Sequence, residues 1–181
     1  VSEGVTSRYQ QEFRKITMTL MDHLSFDEWK ELYKKLVYFE LELEGAGESG
    51  MKEVLENQKL EANREWSKYI EQNYVDLLPY DSDEAPTMSH TVMRKEIFPH
   101  VEANDTTYLL LIDNLRFDQW RILQPLISQY FRVDTEDLYM SILPTTTQYC
   151  RNSLFSGLLP SDIEKRFPKK WSNDEDEGGK N

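Results

Sequence analysis

Asp113 directly follows the apolar stretch Thr106 to Ile112, and Thr145, Thr146 and Thr147 follow a second one, Leu138 to Leu143, after Pro144. Read as neighbouring parallel strands of an α/β layer, the two stretches would bring the carboxylate and the hydroxyls to one sheet edge. Ligands bind beyond the carboxyl ends of strands in such layers. A helix is expected from about Gln148 to Ser156, closed by Gly157. Its first turn would offer unpaired amide groups and a field that favours anions. A threonine hydroxyl placed there could attack a phosphoryl centre, but it is too weak an acid at neutral pH to do so unaided. A divalent metal held by Asp113 would stabilise the alkoxide and bind a phosphate oxygen. Arg151 stands four residues after Thr147, one helical turn on, where a guanidinium could fork a phosphate.

Plainer roles exist for the same residues. An aspartate after a strand is a common turn or cap residue, and three threonines before a helix can be one N-cap and two surface residues, with Thr147 capping a helix that starts at Gln148. Asn114 and Arg116, in the loop with Asp113, are also able to hold anionic oxygens. Cys150 suits packing at a helix–sheet junction better than nucleophilic attack.

The elements around these runs follow from periodicity. Tyr9, Phe13, Ile16 and Leu20 recur at helical intervals. A second helix opens at Ser25 with Glu28 three residues on, a capping-box pattern, and carries Trp29, Leu32, Leu36, Phe39 and Leu43 along one stripe. The run from Gly45 to Gly50 interrupts it, and a third helix carries Leu55, Ala62, Trp66, Tyr69 and Ile70. His23 falls at a helix end, where an imidazole can serve terminal carbonyls. Tyr80 to Pro86 has the acidic, proline-punctuated character of a linker, and a short helix is expected from about His90 to Phe98. A helix is expected over Asp118 to Tyr130, with Pro125 kinking it or shifting its boundary, and another short one from Pro160.

Composition sets the broad class. With 39 % hydrophobic and 30 % charged residues, the chain has the balance of a folded domain rather than a disordered one. The net charge of −12, with no cluster of lysine and arginine, argues against stable duplex DNA binding. A single cysteine rules out an internal disulfide and fits a reducing compartment. No apolar run reaches membrane-spanning length, so membrane insertion is not expected. Two visible strands would leave a parallel sheet incomplete, and the first residue is Val1 rather than methionine. Both lead to the expectation that the chain is a piece of a longer protein.

The stretch from Tyr108 to Trp120, followed by Leu143 to Pro160, resembles the opening of PglZ-type domains of the alkaline phosphatase superfamily. The resemblance implies two zinc ions about 4 Å apart, as in two-metal sites. It makes Asp113 a metal ligand, and the hydroxyl at the helix start both nucleophile and metal ligand. The family pattern of proline, threonine, any residue, threonine puts that hydroxyl on Thr147, with Thr146 and then Thr145 as alternatives in the register. In the related sulfatases a basic residue stands four positions after the nucleophile, the place of Arg151. His23, His90 and His100 do not match the family's remaining ligands.

Together with the helical segment and the run Ala85 to Thr91, the chain resembles a family of response regulators of the type IX secretion system. These join a receiver domain, a helical linking domain and a PglZ effector domain. The expected architecture is an α-helical bundle of about three helices over 1–79, a linker and short helix over 80–103, and the N-terminal, incomplete part of an α/β alkaline-phosphatase-like domain over 104–181. The implied activity of the intact protein is phosphodiesterase or phosphatase action on nucleotide or oligonucleotide phosphoesters. The chain alone, with half a site, is expected to be inactive and to bind zinc weakly. The resemblance also implies a cytoplasmic protein that dimerises when its receiver is activated, with a sensor kinase and other secretion-system regulators as partners. The competing reading is a non-catalytic module that relays receiver state through dimerisation and protein contacts. A plain helical structural domain with an incidental α/β start would not explain why two strand ends both carry groups suited to one phosphate.

Overall fold

The computed structural model describes residues 4–47, 49–80, 85–101 and 105–171. The acidic core of the expected linker, Asp81 to Glu84, and the charged run from Asp174 lie outside the described residues. The chain divides into two compact units: Val1–Tyr74 with Arg116–Asp134, and Val75–Leu115 with Thr135–Asn181.

The first unit is built from four helices: α1 (Val5–Thr19), α2 (Phe26–Ala46), α3 (Ser49–Asn73) and α4 (Phe117–Ile127). At the start of α2, Ser25 Oγ accepts the Glu28 N–H at 3.3 Å and the Glu28 carboxylate accepts the Ser25 N–H at 2.8 Å. Donation from the Ser25 N–H, and then from its hydroxyl, holds the Glu28 carboxyl below its ordinary value, and the reciprocal pair satisfies two donors that a helix end leaves free. The helix runs through Gly45 and stops only at Gly47, whose φ of 71° is the left-handed cap that glycine adopts without a Cβ clash. The break between α2 and α3 is therefore narrower than the six-residue run suggests.

The expected stripe of α2 is buried along its whole length, from Trp29 to Leu43. Tyr9, Ile16 and Leu20 meet it from the side of α1, and Leu55 and Ala62 from α3, in one core cluster. Each fully buried Leu or Ile contributes roughly 1.5–3 kcal/mol of transfer free energy. Phe13 is partly exposed but sets its ring edge-on against Tyr9, centroids 6.1 Å apart.

One polar group is sealed inside. Gln58, 2 % exposed, accepts the Tyr9 hydroxyl at 3.1 Å. Its amide donates to the Phe13 carbonyl at 3.0 Å and to Thr17 Oγ1 at 3.1 Å. Burial pushes the Tyr9 phenol up to about 12, so it stays protonated and keeps donating at any ordinary pH. Truncation to Gln58→Ala strands that hydroxyl without an acceptor. We expect a loss of roughly 1–3 kcal/mol in urea unfolding of the chain; Tyr9→Phe in the Gln58→Ala background should recover part of it.

The fourth helix departs from expectation in its length and its surroundings. It ends at Ile127, two residues past Pro125, and Ser128 to Tyr130 form a turn. Pro125 supplies no N–H to the helix ladder, yet it lies inside the helix and does not end it. The helix packs on α2, with Phe117 against Tyr33 at 5.9 Å between ring centroids. Just ahead of it, Arg116 forks onto Asp118 at 3.0 and 2.8 Å.

The second unit contains α5 (Thr147–Ser156), α6 (Pro160–Arg166), a π-helical turn over Met93–Ile97 and a 3₁₀ turn over Phe98–His100. The last two stand where one short helix was expected. No strand forms among the described residues; the expected α/β layer is reduced to one parallel bridge, Met88 with Met140. That bridge joins the second expected strand to the run Ala85 to Thr91 and leaves out the first. Thr106 to Ile112 is irregular and exposed throughout. A strand needs a neighbour for its N–H and C=O groups, and none of the described residues offers one to this stretch. Met88, Val92, Met140, Ile142 and Leu154 make the apolar interior of this unit. The Leu143–Pro144 peptide, between the bridge and the threonines, is cis.

Candidate functional site

The threonine run lies where strand-like backbone turns into helix. Thr146 is the N-cap of α5, extended at φ −76° and ψ 142°, and its hydroxyl makes no capping bond. Thr147 is therefore the first helical residue and not the cap, a one-residue shift from the expected start at Gln148. Its position leaves the amides of the first turn unspent by helical bonding. The first such bond of this helix runs from the Cys150 N–H to the Thr146 carbonyl at 3.0 Å. Thr145, Thr146, Thr147 and Arg151 are all exposed, and Gly157 closes the helix with φ 66°.

Asp113 is also exposed, at the start of a tight turn. Asn114 carries the chain round with φ 59°, a left-handed conformation that asparagine tolerates better than most residues. Asp113, Thr147 and Arg151 belong to the same unit, but among the described residues no hydrogen bond joins Asp113 to the other two. Arg116, an expected anion holder from sequence, is instead committed to Asp118.

Cys150 sits half-buried in the first turn of α5. Burial pushes its thiol above the ordinary value, opposed by hydrogen bonds with Ser89 and Ser141. A protonated thiol is a weak nucleophile. Its sulfur lies within weak hydrogen-bonding distance of the Ile142 and Pro144 carbonyls.

His90 was absent from the expected site, and it is buried, 3 % exposed. Its Nε2 lies 3.0 Å from the Leu78 carbonyl, and its ring meets Tyr80 edge-on at 4.9 Å. The Tyr80 hydroxyl donates to Asp162 and accepts the Leu159 N–H at 2.7 Å. Burial holds the imidazole below its ordinary value of 6.5, against the opposing Leu78 bond. The folded unit thus binds fewer protons than the unfolded chain below that value. Its stability is fully present above pH 6.5 and falls as pH drops from there through the lower folded value. Melting curves at about pH 7.5 and about pH 5 should show the loss, and His90→Gln should flatten the difference.

Among the described residues no group of three or more His, Cys, Asp or Glu stands together as a metal shell. Asp113 offers the hard oxygen that zinc accepts, and Thr147 a hydroxyl; they make part of a shell, not a whole one. No helix among the described residues is long and apolar enough to cross a membrane.

Residues 1–78 match the family model described as the PorX response regulator linker domain, and residues 92–181 match the BREX system PglZ alkaline phosphatase-like domain. No curated protein matches the chain. The first part of the chain is thus similar to the PorX linker domain and the second to the start of the PglZ domain, in the order middle domain then effector domain. An alkaline-phosphatase-like domain carries with it a general expectation of metal dependence.

Proposed function

We propose that the intact protein is a zinc-dependent phosphoric ester hydrolase that acts on nucleotide or oligonucleotide phosphodiesters and regulates type IX secretion. The observation that carries this reading is the exposed threonine at the first position of α5, inside the segment matched by the alkaline-phosphatase-like family. Thr147 Oγ would form a new bond to phosphorus as the leaving alkoxide departs with a proton. Water would then cleave the phosphothreonine and restore the hydroxyl. The first-turn amides of α5 and the Arg151 guanidinium would hold the non-bridging oxygens. Asp113 and Thr147 would contribute to a zinc shell, and zinc would supply charge neutralisation and a more acidic hydroxyl.

In the same reading the protein is cytoplasmic, pairs as a homodimer when a receiver domain is activated, and answers to a sensor kinase and other secretion-system regulators. A second reading is favoured by the match of residues 1–78 to a response regulator linker: the chain would relay receiver state by protein contacts. Asp113→Asn in the intact protein separates them. Hydrolysis of a chromogenic phosphodiester should fall by ~10²-fold or more, as when one charge-stabilising group is removed, and secretion should fail with it. Full secretion without hydrolysis would assign the biology to contacts; unchanged hydrolysis would reject Asp113 as a ligand.

A further inference from the structure

Thr87, Met88 and Ser89 have no part in the proposed chemistry, yet they bind the backbone that leads into the threonine run. Met140 N–H donates to the Thr87 carbonyl at 2.9 Å, and Ser89 N–H donates to the Met140 carbonyl at 3.1 Å. Two residues further on a side chain takes over: the Ile142 N–H donates to Ser89 Oγ at 3.1 Å. Ser89 is wholly buried. Its hydroxyl occupies the place that a neighbouring strand's carbonyl would hold, so it registers the segment without continuing the ladder.

Cys150 works from the other end. Its thiol lies 3.6 Å from the Ile142 carbonyl and 3.8 Å from the Pro144 carbonyl. Ser89 therefore fixes the entry of the run at Ile142, and Cys150 ties that same entry to the first turn of α5. Thr147 lies between the two tied ends, and the Thr146 hydroxyl just ahead of it makes no capping bond.

We propose that Ser89 and Cys150 are positioning residues for Thr147, holding its hydroxyl in line with the phosphorus atom while touching neither substrate nor metal. The proposal rests on Thr147 being the nucleophile. Displacement of a reacting group by about 1 Å can cost ~10²-fold in rate, and loss of either tie frees the run by a movement of that order.

The test is chromogenic phosphodiester hydrolysis by the intact protein, with amide hydrogen exchange of the metal-free protein as an activity-independent readout. Ser89→Ala and Cys150→Ala should each lower kcat by ~10- to 10²-fold and leave KM within about twofold. Cys150→Ser keeps a donor for the same carbonyls and should recover kcat to within about threefold. Exchange at Ile142 should quicken in Ser89→Ala, with exchange in the α1–α3 core unchanged as the control for folding. Wild-type kcat in both alanine variants, a Cys150→Ser as slow as Cys150→Ala, or unchanged exchange at Ile142 would overturn the proposal. If Thr147→Ala is inactive while both alanine variants are fully active, only the positioning role fails. If Thr147→Ala is fully active, the nucleophile assignment fails and the positioning role with it.

Discussion

Thr147→Ala in the intact protein is expected to lower kcat/KM for a chromogenic phosphodiester by ~10³-fold or more, the scale seen when a nucleophile is removed from an otherwise intact site. Thr145→Ala should stay within about threefold. The contrast follows from the helix start. Thr147 is the first residue of α5, at the positive end of the helix, whereas Thr145 precedes the cap. Thr146→Ala is the arbiter of register. The Thr146 hydroxyl makes no capping bond, so its removal should cost the helix little. A collapse of activity in Thr146→Ala, with Thr147→Ala active, would move the nucleophile back by one residue. Mass spectrometry after acid quenching should place the trapped phosphate on the same residue that the kinetics select.

Trp29→Ala carries the largest expected effect on stability. Trp29 is buried on α2, with the rings of Trp66 and Tyr69 at 5.4 and 6.2 Å. Removing a buried indole from such a cluster costs about 3–5 kcal/mol, because the neighbours cannot close over the cavity. For a helical unit of this size that is a large share of the total. Trp29→Phe should behave differently. The indole N–H is buried and finds no acceptor among the described residues, so a phenyl ring keeps much of the contact and removes an unsatisfied donor. A loss under about 1.5 kcal/mol is expected for it, the range of near-isosteric apolar swaps. Urea unfolding followed by far-ultraviolet circular dichroism checks both. Equal losses in the two variants would show that the aromatic contacts are not what the indole contributes.

The helical unit was legible because its signals are local. The stripe from Trp29 to Leu43 repeats at helical spacing, and Ser25 with Glu28 caps a helix whatever lies around it. Gly157 and Pro160 marked a helix end and a helix start for the same reason. The destination of α4 was not legible: its apolar side names no partner, and Tyr33, on which Phe117 packs, lies far back in the chain. The strand at Thr106 to Ile112 was expected from its own residues, but a strand exists only with a neighbour. The platform under the threonine run was hidden most completely. The bond from Ile142 to Ser89 spans 53 residues, and nothing in the spelling of Thr87-Met88-Ser89 tells that a serine will stand in for a carbonyl. Of the candidate site, Asp113 and the threonine run came from their places after the two expected strands, Thr147 among the threonines from the family resemblance, and Arg151 from its spacing to Thr147; the turn at Asp113 and the helix start at Thr147 follow from local geometry. How they meet a substrate depends on contacts that spacing cannot encode.

The run from Tyr108 to Ile112 has a colloidal consequence. Its exposure alternates, with Tyr108 and Leu110 above 80 % and Leu109 and Leu111 at 47 %. Five apolar residues without a charge, presented in that pattern, are the kind of segment through which identical chains stack into cross-β assemblies. What opposes this is charge: Asp105 and Asp113 bracket the run as gatekeepers, and the net charge of −12 keeps copies apart. Salt screens that repulsion over a distance of about 10 Å at 0.1 M but leaves the apolar attraction in place. Dispersal of this chain therefore depends on ionic strength.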